Sequence, residues 1–360
     1  MMDQQNALKF LNAPDPKEWG PVLEEAYAVK KKYVGTTVYF RGIIEFSNIC
    51  QKNCFYCGIR SDNQGLTRYQ MTEAEIVETA LLADRMNYGS IVLQSGERQD
   101  ADFIKFVQKV LRAIKHETRN RLGVTLSVGE QTRDTYARWF DAGAHRYLLR
   151  IETSNPVLYK KLHPACHDHA TRVKCLDFLR QTNYQVGTGI MIGLPGQTTE
   201  DLYQDILFFQ EHDVDMVGMG PYIPHEHTPL AKTIPDFSPA QNLELGLKMI
   251  ALTRILLKDV NIASTTALQA LSPDGRELGL KAGANVIMPN LTPVKYRGAY
   301  RLYDNKPCLD ENAEQCRHCL EARIRSIGET VGYGQWGDSI HFSKRKNKPR
   351  TRGIREKGTR

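Results

Sequence analysis

The stretch Asn48 to Arg60, NICQKNCFYCGIR, follows directly on a β-rich run, Val38 to Glu45. It sets Cys50, Cys54 and Cys57 at CxxxCxxC spacing, with Tyr56 just before the last cysteine. Three thiolates within eight residues can reach three metals of one cluster. A closed structural zinc site needs four ligands, and neither a fourth ligand nor a matching CxxC lies nearby. The odd ligand count leaves a coordination position open to a small molecule, which points to chemistry rather than to a structural staple.

Outward from this loop, short β-rich runs alternate with amphipathic helical segments. The expected strands are Val38 to Glu45, Ser90 to Leu93, Gly123 to Ser127, Arg146 to Leu149, Gln185 to Ile192, Met216 to Met219, Asn261 to Thr265 and Asn285 to Met288. Eight strands separated by helices predict a (β/α)8 barrel of the TIM type. Thr72 with Glu75 forms a capping box for a helix running to about Asn87 and ended by Gly89. Thr132 caps a helix ending at Ala142 and Gly143, and Ser238 to Lys258 is the longest helix. Residues 1–36, with a helix from Trp19 to Tyr33, are expected as an N-terminal lid on the bottom of the barrel. The barrel itself takes residues 37–342.

The 360 residues suffice for such a barrel, and 41% hydrophobic with 25% charged residues is ordinary for a globular protein. No apolar run reaches transmembrane length and the N-terminus is not a secretory signal, so the expectation is a cytoplasmic protein without membrane contact. In a reducing compartment eight cysteines serve as metal ligands or buried small residues. The net charge of +7 invites a nucleic-acid reading, but residues 343–360 hold nine Lys or Arg against one Glu. The remaining chain is close to neutral, and the basic tail is expected to be a disordered, solvated extension rather than an RNA-contacting arm.

The segments after the strands carry the polar groups: the cysteine loop, then QSGE, VGE, RIET, GLPGQT, GPYIPH, TTA and MPNLTP. In a (β/α)8 barrel these ends converge on the catalytic face. Glycines in Ser95-Gly96-Glu97 and Gly193 to Gly196 permit close backbone approach to a ligand. His225 and His227 read as ordinary loop residues.

The cysteine loop, Tyr56 and Ser95-Gly96-Glu97 together resemble the radical S-adenosylmethionine (SAM) superfamily. Within it, RGIIEFSNIC, IVLQSGE, RYLLRIETSNPVLY, MIGLPGQT, DMVGMGPYIPH and NVIMPNLTP are similar to the HydE family of FeFe-hydrogenase maturases, relatives of biotin synthase. The resemblance implies that Cys50, Cys54 and Cys57 hold three irons of a 4Fe-4S cluster and that the fourth iron chelates SAM. It further implies that Ser95, Gly96 and Glu97 receive the SAM amino group and Arg172 its carboxylate. Arg150 and Glu152 would face the ribose, and Tyr56 (by its backbone) and Ile192 the adenine. Arg41, Gln94, Thr125, Thr265, Thr266, Met288 and Tyr303 would line a substrate cavity. The implied reaction is cleavage of the C–S bond of an iron carbonyl-cyanide cysteinate by a 5′-deoxyadenosyl radical. The implied partners are the maturases HydG and HydF and an electron donor such as ferredoxin or flavodoxin. Sister activities on the same barrel, methylornithine synthase and biotin synthase, stay open, as does a noncatalytic Fe-S sensor.

Cys308, Cys316 and Cys319 form a second group, CxxxxxxxCxxC. The resemblance implies an accessory Fe-S cluster there in some members, 2Fe-2S or 4Fe-4S. Zinc completed by His318 and metal-free thiols are the alternatives.

Overall fold

The computed structural model describes residues 2–234 and 237–347. The strands in chain order are β1 Thr37–Ser47, β2 Ser90–Ser95, β3 Gly123–Ser127, β4 Arg146–Leu148, β5 Gln185–Thr188, β6 Met191–Ile192, β7 Met216–Val217, β8 Gly220–Pro221, β9 Asn261–Ile262, β10 Val286–Ile287 and β11 Thr330–Val331. Nine of them form one parallel sheet, eight in the order β10-β1-β2-β3-β4-β5-β7-β9 with β11 added on the start of β1. A parallel bridge between Ala263 and Val286 joins its two ends and completes the ring. The expected barrel is therefore present.

That last seam is short, and buried side chains latch it. Asn285 donates to Asn261 Oδ1 at 2.8 Å, and its own Oδ1 accepts from Ile262 N at 2.9 Å and from Arg254 at 3.1 Å. Two expected strands continue beyond a break: β5 into β6 and β7 into β8, which pair with each other above the ring. Gly189 sits at the break, where a Cβ would fall 1.9 Å from Gly218 O, so the two backbones can meet only there without side chains.

Local capping follows the sequence. The Thr72–Glu75 capping box opens helix Glu73–Arg85, Thr132 caps Arg133–Asp141, and Ser238 caps Pro239–Leu257. One stop signal differs from expectation. Asn87, at φ 58°, makes the left-handed turn after Glu73–Arg85. Gly89 instead admits the chain at Gln335, whose carbonyl oxygen would lie 1.6 Å from a Cβ.

The segment around Gln335 closes the N-terminal end of the barrel. Trp336 O and Asp338 take Arg146, Gly337 O takes Arg41 and Asn261, and Asp338 also binds Gln185. The N-terminal helices Gln4–Asn12 and Pro16–Tyr33 lie along helix Pro239–Leu257 on the outer ring. This covering explains why that helix is buried almost all round from Gly246 to Ile255.

The first residues of the basic tail are folded, contrary to expectation. Residues 343–347 belong to helix Ile340–Asn347, because Arg345 pairs with Asp215 at 2.6 Å and Lys344 with Asp259 at 2.7 Å. Residues 348–360 lie outside the described residues. His341 bridges Asp213 and Asp259 at 2.6 and 3.2 Å, and these carboxylates raise its pKa to about 9 against the opposing effect of burial. A raised folded-state pKa stabilises the fold fully below the unfolded value near 6.5, and the contribution is lost as pH rises through about 9. His341→Phe is expected to lower stability by about 1 kcal/mol at pH 6, the ion pairs being partly solvated. In denaturation midpoints compared from pH 6 to pH 10, the deficit should disappear toward the alkaline end; a constant deficit would refute the linkage.

Candidate active site

Strand β1 ends at Ser47 and the cysteine loop follows at the C-terminal face of the barrel. All three thiols are partly buried. Neighbouring elements hold the loop through backbone contacts: Gln51 N donates to Glu97 O, Phe55 N to Leu162 O and Gly58 N to Leu302 O, each at 2.9–3.0 Å. Glu97 N points at Cys50 Sγ, 3.3 Å away. Gly96 makes this approach possible, since a Cβ would stand 2.4 Å from Ile49 O and 2.7 Å from Cys50 Cβ. Gly96→Ala is expected to displace the cysteine loop at a cost of about 1–3 kcal/mol. A lowered denaturation midpoint together with reduced iron retention checks this; unchanged values would refute the tight packing.

Burial raises the pKa of Cys50, pushes Cys54 up to about 12 despite the opposing Arg172, and lifts Cys57 well above its ordinary value. Three converging thiols that resist ionisation by themselves suit metals whose charge stabilises the thiolates. The donor set therefore fits an iron–sulfur cluster.

Beside the loop lies a buried network of four charges. Arg172 binds Glu130 at 2.9 Å and Glu97 at 3.4 Å, and Lys52 binds the same two carboxylates at 2.8 and 3.2 Å. Burial pushes the Glu97 carboxyl up while Arg172 pulls it down. Burial also opposes the charge on Arg172, but Glu97 and Glu130 outweigh it and hold the guanidinium above its ordinary value. Glu97 and Arg172, singled out in the sequence, are thus brought together. Glu130 and Lys52 were missed as individual residues, although VGE after the third strand and the cysteine loop itself contain them.

Arg150 and Glu152 pair at 3.0 Å next to this network, since Arg172 also donates to Arg150 O at 3.2 Å, and Glu152 holds a left-handed φ of 66°. Such a conformation in a buried glutamate is strained, and strain of this kind concentrates at ligand sites. Ile192 is fully buried in β6, and Tyr56 packs edge-on against His163. Ser95 turns its hydroxyl to Gly96 O at 2.7 Å.

The segment His163 to His167, between helices Pro156–Leu162 and His169–Gln181, forms the outer wall of the loop. Both histidines are buried. Burial takes the pKa of His163 to about 3 and that of His167, with help from Lys52, to about 4. Cys54, His163 and His167 place donor atoms within 4.8 Å of one another. Both His163 nitrogens are already engaged, one with Tyr159 O at 2.9 Å and the other with Tyr56 Oη at 3.2 Å.

The expected cavity residues separate into two levels. Arg41, Thr125 and Met288 line an internal cavity with Leu148 and Met216, above the crossing segment. Gln94 lies higher, donating to Tyr300 Oη at 3.2 Å; the loop of Tyr300 also carries Tyr303 and touches the cysteine loop, Gly58 N donating to Leu302 O at 3.0 Å. Thr265 Oγ1 is buried without a partner, and Thr266 accepts from Arg276 at 3.2 Å. His225 is buried in its loop and His227 exposed, and neither belongs to a metal-type cluster among the described residues.

The second cysteine group is not assembled as a triple. Cys308 and Cys316 approach each other with Glu311, their donor atoms within 4.8 Å. Cys319 is exposed one turn further along helix Ala313–Ser326, next to Arg323. Its thiol lies outside that group, so Glu311 rather than Cys319 is the third donor the fold supplies, and His318 is not part of the group either.

No helix among the described residues is long and apolar enough to cross a membrane. The sequence pattern of the Radical SAM superfamily matches residues 44–209. The chain is 50% identical over 310 residues to the [FeFe] hydrogenase maturase subunit HydE of Thermotoga maritima, covering 86% of each chain. It is 30% identical to 3-methylornithine synthase of Methanosarcina barkeri, covering 83% of each. The solved methylornithine synthase (PylB) shares the fold at a TM-score of 0.80, with 23% identity over 93% of this chain and 95% of that one. A radical SAM superfamily pattern on a parallel barrel, joined to half-identity over most of the length, assigns the chain to the HydE family of FeFe-hydrogenase maturases, a family of radical SAM enzymes that take a 4Fe-4S cluster and SAM.

Proposed function

We propose that the barrel cleaves SAM above an iron-bearing substrate and thereby matures the diiron part of the hydrogenase cofactor. The observation that carries this reading is the cysteine loop meeting the Glu97–Arg172 ion pair at the C-terminal face of the barrel, where Glu97 N points at Cys50 Sγ, with a small Arg41-lined cavity inside the barrel. Cys50, Cys54 and Cys57 hold the cluster. The chemistry supplied by bound cluster and SAM is one-electron cleavage of the sulfonium to a 5′-deoxyadenosyl radical.

The residues of the chain bind and orient. Glu97, with Ser95 and Gly96, receives the SAM ammonium, and Arg172 its carboxylate by charge-assisted hydrogen bonds. The two side chains pair with each other at 3.4 Å, so an amino acid zwitterion replaces one ion pair with two. Glu152 and Arg150 meet the ribose, while Ile192 and the backbone at Tyr56 meet the adenine. Below, Arg41 has a buried Nε without a partner. That suits an anionic or cyanide-bearing guest, an iron carbonyl-cyanide cysteinate whose C–S bond is broken. Gln94, Thr125, Thr265, Thr266, Met288 and Tyr303 shape its cavity. The product would pass to HydF, with HydG supplying the substrate and a ferredoxin or flavodoxin the electron. The donors gathered at Cys308, Glu311 and Cys316 would carry an accessory metal or Fe-S group.

The test is anaerobic turnover with dithionite and SAM on two substrates, an iron carbonyl-cyanide cysteinate and lysine. Formation of 5′-deoxyadenosine with consumption of the iron complex supports the proposal. Conversion of lysine to methylornithine would transfer the chain's chemistry to the sister reaction, and absence of 5′-deoxyadenosine altogether would overturn both.

A further inference from the structure

The cysteine loop is gripped from outside by a ring whose proton can be located. Asn53 N donates to His167 Nε2 at 3.4 Å, so Nε2 is the accepting, unprotonated nitrogen. A neutral imidazole then carries its proton on Nδ1, and Nδ1 stands 3.9 Å from Cys54 Sγ. His167 is 6% exposed, so solvent does not compete strongly for that proton. The ring is further fixed by its neighbour His163, with centroids 5.6 Å apart, and His163 in turn accepts Tyr56 Oη. One short segment thus orients two residues of the loop, Cys54 through His167 and Tyr56 through His163.

We propose that His167 is a positioning residue that donates its Nδ1 hydrogen to the Cys54 sulfur and so raises the reduction potential of the cluster bound there. The inference rests on the reading of Cys50, Cys54 and Cys57 as cluster ligands. The physical reason is charge. Reduction adds an electron to the cluster and its sulfurs, and a donor aimed at one thiolate stabilises the more negative state. Cys50 receives a backbone N–H from Glu97 at 3.3 Å, whereas at Cys54 the imidazole donor is a side chain that substitution can remove, with the Tyr56 hydroxyl beside the same sulfur left in place. Hydrogen bonds to charged groups are stronger than neutral ones, so the effect on the redox equilibrium is expected to be about tenfold.

Two amides of the same polarity separate this from a purely structural role. His167→Asn keeps a donor near the place of Nδ1, while His167→Gln moves it to the place of Nε2. In the anaerobically reconstituted protein, EPR-monitored titration is expected to show H167N within about twofold of the parent in reduced-to-oxidised ratio at a given potential. H167Q should be about tenfold lower, about 59 mV for one electron. Pulsed EPR after exchange into deuterium oxide should show, beside the coupling of the Glu97 amide, a further exchangeable proton coupled to the cluster in the parent and in H167N that is missing in H167Q. The proposal is overturned if H167Q, at equal iron content, keeps the parental potential, or if H167N shifts as far as H167Q. Should H167Q retain no iron, the parent decides: no exchangeable proton coupling at the cluster beyond that of the Glu97 amide overturns the proposal. A parent that takes up no reducible 4Fe-4S cluster would instead strike at the ligand assignment itself.

Discussion

Cys57→Ala is expected to reduce iron retention and 5′-deoxyadenosine formation by more than the 10–100-fold typical of losing an outer-shell partner. Cys57 closes the CxxxCxxC spacing, and its backbone is tied into the fold on both sides. Its N–H donates to Cys54 O at 3.3 Å, and the next residue, Gly58, donates to Leu302 O at 3.0 Å. Cys308 and Cys316 do not stand ready to replace it, since that pair gathers with Glu311 in a separate group. Iron analysis and product formation under dithionite check the expectation. Retention of near-parental iron and activity would remove Cys57 from the ligand set.

Glu130→Ala is expected to cost about 3–5 kcal/mol, the scale of breaking a buried ion pair by removing one partner. The four charges balance only as a set: Arg172 and Lys52 share Glu97 and Glu130. Without Glu130, two cations face one carboxylate in a region where the carboxylates and Arg172 are at most about a tenth exposed. The same loss should weaken SAM binding, because Glu97 would then be committed to Arg172 and Lys52. Denaturant midpoints and SAM titration of the reconstituted protein measure the two effects. Loss of less than about 1 kcal/mol would show that water enters the network and screens it.

The barrel was legible because its signals are local and repeated. Most of the β-rich runs are followed by a helix with its own side-chain cap, as at Thr72, Thr132 and Ser238, and parallel strands so connected have few ways to arrange themselves. The stop at Asn87 was misplaced because Gly89 looks like a helix terminator in sequence, while its actual constraint is a chain segment more than two hundred residues away. The same holds for the start of the tail. A run of lysine and arginine reads as solvated until Asp213, Asp215 and Asp259 are placed beside it.

For the site, the sequence by itself determined the cluster-type donor set and the polar strand ends. Three thiols in eight residues need no distant partner to be recognised, and the residue after a barrel strand lies on one face by topology alone. Only the tertiary structure decided which charges share a pocket and which cysteines share a metal-type group. It set Lys52 and Glu130 against Arg172, and turned His167 onto Cys54. It also exchanged Cys319 for Glu311. These are contacts between side chains far apart in the chain, and their formation depends on loop paths and on the burial that makes an unpaired charge costly. Spacing within one segment carries no record of either, so the loop from Cys50 to Cys57 announced its chemistry while its surroundings did not.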